Sequence, residues 1–124
     1  MILIFGGAYQ GKLDFARELA GEDKSIYRAL PDEIPDFSAH IIDGFHNAVL
    51  ALIRSGIDPC EYTLDNLSEL SVKVIVCDDI SSGVVPVDPE MRAWREAVGR
   101  CMGILSRNAG DIYRVFCGIG TKIK

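Results

Sequence analysis

The chain has little of what would tie it to a membrane, a nucleic acid or an oxidising compartment. No apolar run approaches the roughly 18–20 residues that a spanning helix needs, and no span is expected. Basic residues are in deficit: 13 Lys plus Arg face 18 Asp plus Glu in 124 residues, a formal net charge of −5. That balance argues against a nucleic-acid footprint or an anionic membrane surface, so small molecules or proteins are the expected partners. The four cysteines, Cys60, Cys77, Cys101 and Cys117, form no C-x-x-C pair. They sit mostly in apolar runs and are expected as reduced, buried thiols of a cytoplasmic protein, with neither zinc nor a disulfide framework. Internal repeats, low-complexity tracts and interdomain linkers are missing as well. The apolar stretch after Met1 is short, lacks a basic flank and enters a glycine turn at once, so a signal peptide is not expected. Length allows one domain, 1–124, with a single core.

What is present begins with Ile2 to Leu13, ILIFGGAYQGKL. Strand-type residues Ile2 to Phe5 lead into a glycine-rich turn and then into helical periodicity. Gly6, four residues, Gly11 and Lys12 meet the phosphate-loop spacing except at its last position, where Leu13 stands in place of Ser or Thr. Glycines let successive N–H groups curl inward toward phosphate oxygens, and the following helix adds the positive end of its dipole. Lys12 supplies a mobile ammonium for the terminal phosphates. Leu13 removes the hydroxyl that would help hold a nucleotide's magnesium. A tight strand-to-helix turn could also use these glycines for shape alone.

Farther along, Leu13, Phe15, Ala16, Leu19 and Ala20 predict a helix to about Ala20, stopped by Gly21. A strand is expected at Ser25 to Ala29, then a loop punctuated by Pro31 and Pro35 and running through Asp36. His40-Ile41-Ile42 reads as a strand ending on Asp43-Gly44, and Phe45 to Arg54 as a helix closed by Ser55-Gly56. Leu64, Leu67 and Leu70 mark a short helix begun near Thr63, before a strand at Val72 to Cys77. The segment Ile80 to Pro89 has loop chemistry. A helix is expected from Glu90 to about Asn108, then a strand at Asp111 to Cys117 and a Gly-rich tail, Gly118 to Lys124. Five strands alternating with helices predict a mainly parallel five-stranded sheet covered on both faces, a three-layer α/β/α arrangement. The strands' carboxyl ends should gather the Gly6 to Lys12 loop, Asp43, Asp78-Asp79 and Cys117-Gly118 at one edge.

Asp43 and Asp78 each follow an apolar strand, where a carboxylate can reach magnesium directly or through water. An Asp in that place can equally be a helix cap or turn former. Of the two histidines, His40 falls within a predicted strand and reads as a packed residue. His46, just past Asp43, lies at the predicted edge and stays open as a chemical group. Neither belongs to a Ser/His/Asp or metal-ligand pattern. Arg92, Arg95 and Arg100 share the long helix with Trp94, as solvated positions around a core aromatic. Lys122 and Lys124 read as terminal solubilising charges, for which the tail's glycines are an odd accompaniment.

Three blocks together resemble the bifunctional adenosylcobinamide kinase and adenosylcobinamide-phosphate guanylyltransferases of cobalamin assembly. ILIFGGAYQGK is similar to the family's I-L-V-T-G-G-A-x-S-G-K-S. Gly83-Val84-Val85-Pro86, with Arg92, Trp94, Arg95, Glu96 and Gly99, is similar to its G-[IV]-V-P and R-x-[FW]-R-[DE]-x-x-G. Gly118-Ile119-Gly120-Thr121-Lys122-Ile123-Lys124 is close to its G-[IL]-[GP]-x-x-[IL]-K terminus. The resemblance implies a P-loop nucleoside triphosphate hydrolase-like fold, with ATP or GTP held by Gly6, Gly7, Ala8, Tyr9, Gln10, Gly11, Lys12 and Leu13. It implies a corrinoid substrate with an aminopropanol arm, whose hydroxyl is phosphorylated before GMP is transferred through a histidine-linked intermediate. Trimers whose neighbouring chains help form the site are implied too. Asp43 falls where the family has an acidic residue after a strand, and Asp78-Asp79 where it has Asn-Glu. Lys12, Asp43 and Asp79 are thus the candidates for catalysis, and Asp43 and Asp78 for magnesium.

This chain departs from the family in four places. Leu13 replaces the metal-binding Ser, Gln10 replaces a small polar residue, and Met102-Gly103 stands for an Asn-Gln pair. The segment that carries the guanylylated histidine is cut to the loop Leu30 to Ser38, which has no histidine. A retained kinase half without the family's guanylyl transfer is one expectation. A non-catalytic nucleotide- or corrinoid-binding regulator or assembly partner is the other.

Overall fold

The computed structural model describes residues 1–80 and 87–124. Most of the expected loop Ile80 to Pro89, including Gly83-Val84-Val85-Pro86, lies outside the described residues. Elements run in the order β1 (Ile2–Gly6), α1 (Lys12–Ala20), β2 (Ile26–Arg28), β3 (Ile41–Asp43), α2 (Phe45–Arg54), α3 (Pro59–Asp65), α4 (Leu67–Leu70), β4 (Val74–Asp78), α5 (Pro89–Asn108), β5 (Asp111–Phe116) and β6 (Ile119–Lys122).

The strands form one sheet of order β2-β3-β4-β1-β5-β6, parallel except for β6. Period-two alternation sorts its side chains between two cores. Leu3, Ile42, Ile75, Cys77 and Ile112 face α2 and α5, where Phe45, Val49, Val98, Cys101 and Leu105 meet them. Ile4, Ile41, Val74, Val76 and Val115 face α1 through Ala16. Helices therefore flank the sheet on both faces, and the central strands are apolar on both sides because neither side meets water. No helix among the described residues is long and apolar enough to cross a membrane.

The sheet has six strands, not the expected five. The Gly-rich tail supplies the sixth, turning back on β5 through Cys117-Gly118, with φ of 51° and 77°. Positive φ at both central residues is what a two-residue I′ hairpin turn requires, and cysteine in the first place hides the usual Asn-Gly signal. Gly120 then passes beneath the Phe15 ring with no room for a side chain. Lys122 pairs with Asp111 at 2.9 Å and Lys124 Nζ donates to the Ser106 carbonyl, so these lysines fasten the hairpin.

Other boundaries moved for local reasons. The helix expected near Thr63 begins at Pro59, where Asp58 accepts from the Cys60 and Glu61 amides, and a second short helix, α4, follows. β4 starts at Val74, because Val72 and Lys73 belong to the turn leaving α4. His40 lies just before β3, its amide bonded to Ser25 Oγ and its carbonyl accepting from Val74. It sits at the strands' amino ends, away from the carboxyl edge. All four cysteines are free, but only Cys77 and Cys101 are buried; Cys60 is half-buried and Cys117 is exposed on its turn.

Where β1 ends, Gly6 is buried against β5, and a Cβ there would fall inside van der Waals distance of the Val115 carbonyl oxygen. Backbone cannot yield as a side-chain tip can. Gly6→Ala is expected to cost about 1–3 kcal/mol of stability, read as a lower urea midpoint at unchanged slope. An unaltered midpoint would contradict the packing described for this strand end.

Candidate functional site

In an open parallel sheet, ligands bind beyond the carboxyl ends where neighbouring strands send their connections over opposite faces. Here that point is β1 beside β4. The chain leaves β1 through α1 on one face and leaves β4 toward α5 on the other, while Gly6 and Asp78 end the two strands in register. A cleft of about 440 Å³ opens there, between the Ala8 to Asp14 segment and Arg28, Asp43, Gly44, His46, Asn47 and Asp78.

The loop's shape is fixed from the far side of the sheet. Gln10 Oε1 accepts the Cys117 amide and the Gln10 carbonyl accepts the Gly118 amide, both at 2.7 Å. Gly11 has φ 85°, and a Cβ on it would press to 3.2 Å from Gly118 Cα, so conformation and space both require glycine. Tyr9, at φ 61°, is held fully exposed at the loop tip. Gly11 is also the residue before α1, and no side chain caps that helix. The first-turn amides of a helix have no intrahelical acceptor and offer their N–H groups to whatever lies beyond.

Lys12 is the group that sequence reading leaves mobile and the structure ties down. Its side chain is only 6% exposed, and Nζ donates to the Gly7 carbonyl at 2.6 Å and pairs with Asp78 Oδ1 at 2.7 Å. A buried ammonium is tolerated when it has such partners. Asp78 in turn is bracketed by His46. Its backbone amide donates to His46 Nδ1 at 3.1 Å, and its Oδ2 lies 3.4 Å from His46 Nε2. Since Nδ1 accepts, a neutral ring carries its proton on Nε2. Burial pulls the His46 pKa down, against the upward pull of Asp78; Lys12 adds to the fall and Asp43 opposes it. The ring is thus neutral near pH 7. Trp94 Nε1 donates to the His46 carbonyl at 2.7 Å, which makes Trp94 a support for α2 as well as a core aromatic.

Asp43 lines the same cleft and is paired with Arg28, its register partner across β2 and β3, at 3.3 Å. Asp79 does not join them. Its amide holds the Gly6 carbonyl at 2.8 Å, and it borders a separate hollow with Gly7, Gln10, Arg114, Val115 and Phe116. The structure therefore brings Ala8 to Leu13, Asp43 and Asp78 together in one cleft, while Asp79 lines neighbouring hollows, one of them shared with Asp78. Arg28 and Asn47 were not singled out from sequence; placement at a strand end and one turn into a helix was the available signal.

The donor set suits a phosphate, with one ammonium, exposed loop backbone and an uncapped helix start. Toward magnesium it offers two carboxylates, which together with a ligand's own phosphate oxygens is the usual scale of a magnesium site. Leu13 adds no oxygen, and no group of three or more His, Cys, Asp or Glu able to hold a metal occurs among the described residues. The buried thiols take no part: burial drives the Cys77 pKa far up and pushes that of Cys101 up to about 12.

The His46 shift fixes the sign of a pH effect. Its folded pKa lies below the ordinary 6.5, so the unfolded chain binds more protons between those values. This contribution is intact above the unfolded pKa and is lost as pH falls below it. Between about pH 7 and about pH 5, the wild-type urea midpoint should drop further than that of His46→Gln. Equal drops would show that the ring is not held neutral.

No family model matches the chain, and no curated protein sequence matches it.

Proposed function

We propose that the chain binds the phosphates of a nucleoside triphosphate, ATP or GTP, on the Gly6 to Lys12 loop and is a shortened kinase-type relative of the cobinamide-salvage enzymes. The observation that carries this reading is the buried Lys12 ammonium, held by a loop carbonyl and by Asp78 at the end of the neighbouring strand. A cation held by a backbone carbonyl and a carboxylate can pass to a phosphate without being left unpaired, because one anionic partner replaces another. The corrinoid alcohol as acceptor rests on the sequence resemblance, as does a homotrimer.

In a kinase reaction the bond from the terminal phosphorus to the diphosphate oxygen breaks, a new O–P bond forms to the acceptor oxygen, and that oxygen's proton passes to the Asp43 carboxylate or to water. Lys12 and the loop amides would stabilise charge on the transferring group. Asp43, which lines the cleft and pairs with Arg28, is the carboxylate that would face an acceptor. Asp43 and Asp78 are the residues that would hold magnesium, which when bound neutralises phosphate charge. Leu13 favours a second reading, a binder without turnover, because it lines the cleft without an oxygen.

Turnover separates the two. Phosphorylation of adenosylcobinamide that disappears in Lys12→Ala supports the kinase. Nucleotide binding abolished by Lys12→Ala with no phosphorylated product supports the binder, and binding indifferent to Lys12 contradicts both. Leu13→Ser is expected to raise nucleotide affinity in the presence of magnesium, by about tenfold or more for one added contact to a charged group, and to leave magnesium-free affinity unchanged. A gain independent of magnesium would contradict the role given to this position.

A further inference from the structure

Histidine at position 46 lies in the cleft, yet nothing in the proposed reaction requires it. Its geometry excludes the role that a histidine near a phosphate first suggests. A nucleophilic imidazole needs an in-plane lone pair facing its electrophile. Nδ1 has given its lone pair to the Asp78 amide at 3.1 Å, and Nε2, which carries the proton and so has no in-plane lone pair, lies 3.4 Å from Asp78 Oδ2 without the alignment of a hydrogen bond. The ring therefore spans one residue, touching its main chain with one nitrogen and approaching its side chain with the other. Its own position is set by α2, whose turn at this point is anchored by Trp94 Nε1 on the His46 carbonyl, with the two rings 6.3 Å apart.

We propose that His46 is a positioning residue that brackets Asp78 and so sets where Asp78 holds Lys12 between ligand-binding events. Asp78 has two oxygens with different tasks. Oδ1 is on the ammonium at 2.7 Å and Oδ2 lies 3.4 Å from the imidazole, while the main chain of the same residue is held by Nδ1. Without the ring the Asp78 amide loses its acceptor, the strand end that carries the carboxylate is less firmly placed, and Lys12 loses a fixed partner. The site then binds phosphate with a lysine that must be reordered each time. That last step, from Lys12 to phosphate, rests on the nucleotide reading above; the bracket itself does not.

Two measurements on the full chain test this. In the unliganded protein near neutral pH, nitrogen-detected NMR of the histidine side chains should show His46 as the tautomer protonated at Nε2. A proton on Nδ1 would overturn the proposal. Urea midpoints in a double-mutant cycle of His46→Leu with Asp78→Asn should fall by clearly less than the sum of the single drops, because both variants weaken the same Asp78–Lys12 pairing. Additive drops would make His46 a packing residue only. These results stand whether or not a nucleotide binds.

With ATP or GTP as the titrant, His46→Leu should weaken affinity by about tenfold, as loss of a contact to a charged group predicts. His46→Asn, whose side-chain oxygen can accept the Asp78 amide in the place of Nδ1, should recover most of it, and His46→Leu should add nothing in an Asp78→Asn background. An equal loss in both backgrounds, or no recovery with Asn, would overturn the positioning role. Wild-type protein that shows the Nε2 tautomer and the non-additive cycle but binds neither nucleotide would leave the bracket standing and remove the nucleotide reading.

Discussion

A buried ammonium between a loop carbonyl and a strand-end carboxylate is the interaction on which the rest of the carboxyl edge depends. Lys12 is drawn under its own loop, and its charge is met by the Gly7 carbonyl and Asp78 Oδ1. A lysine so far from solvent would be costly without these partners. Their presence requires that β1 and β4 be neighbours and end in register, with Gly6 opposite Asp78. The sheet order is therefore what allows the loop and the carboxylate to meet. Asp43 and Arg28 extend the same logic one strand farther, paired across the β2–β3 ends.

The loop is also held from the opposite side, by the last hairpin. Gln10 receives amides from both Cys117 and Gly118, and Gly11, at positive φ, lies under Gly118, where a Cβ would press on the turn. This gives the final residues a structural task. They extend the sheet by one strand and press its turn onto the loop, so the two ends of the chain are mechanically coupled at the cleft. Gln10 is long enough to reach that turn; a small polar residue in its place would leave the Cys117 amide without this acceptor.

The parallel core was legible because buried strands such as Val74 to Cys77 and Ile2 to Phe5 are continuous apolar runs, and α1, α2 and α5 carry clear periodicity or end signals. The handover at Asp43-Gly44 and the strand end at Asp78 were legible for the same reason. What escaped were features set by contacts distant in sequence. β6 was hidden because Cys-Gly is an unusual I′ pair and because Gly120 is dictated by Phe15 from another element. The pairing of Lys12 with Asp78 could not be read from spacing, nor could the absence of Asp79 from the cleft that Asp78 lines. Cys117 looked like one more apolar strand residue, yet its place on the turn exposes it.

Phosphate recognition by the Gly6 to Lys12 loop is the claim that all functional reading here depends on. A crystal structure of the chain with a non-hydrolysable nucleoside triphosphate and magnesium tests it most directly. The account predicts the β and γ phosphates lying over the Gly7 to Leu13 amides, with Lys12 Nζ moved from the Gly7 carbonyl onto a phosphate oxygen. A triphosphate bound elsewhere, with Lys12 still closed on Gly7 and Asp78, would contradict it.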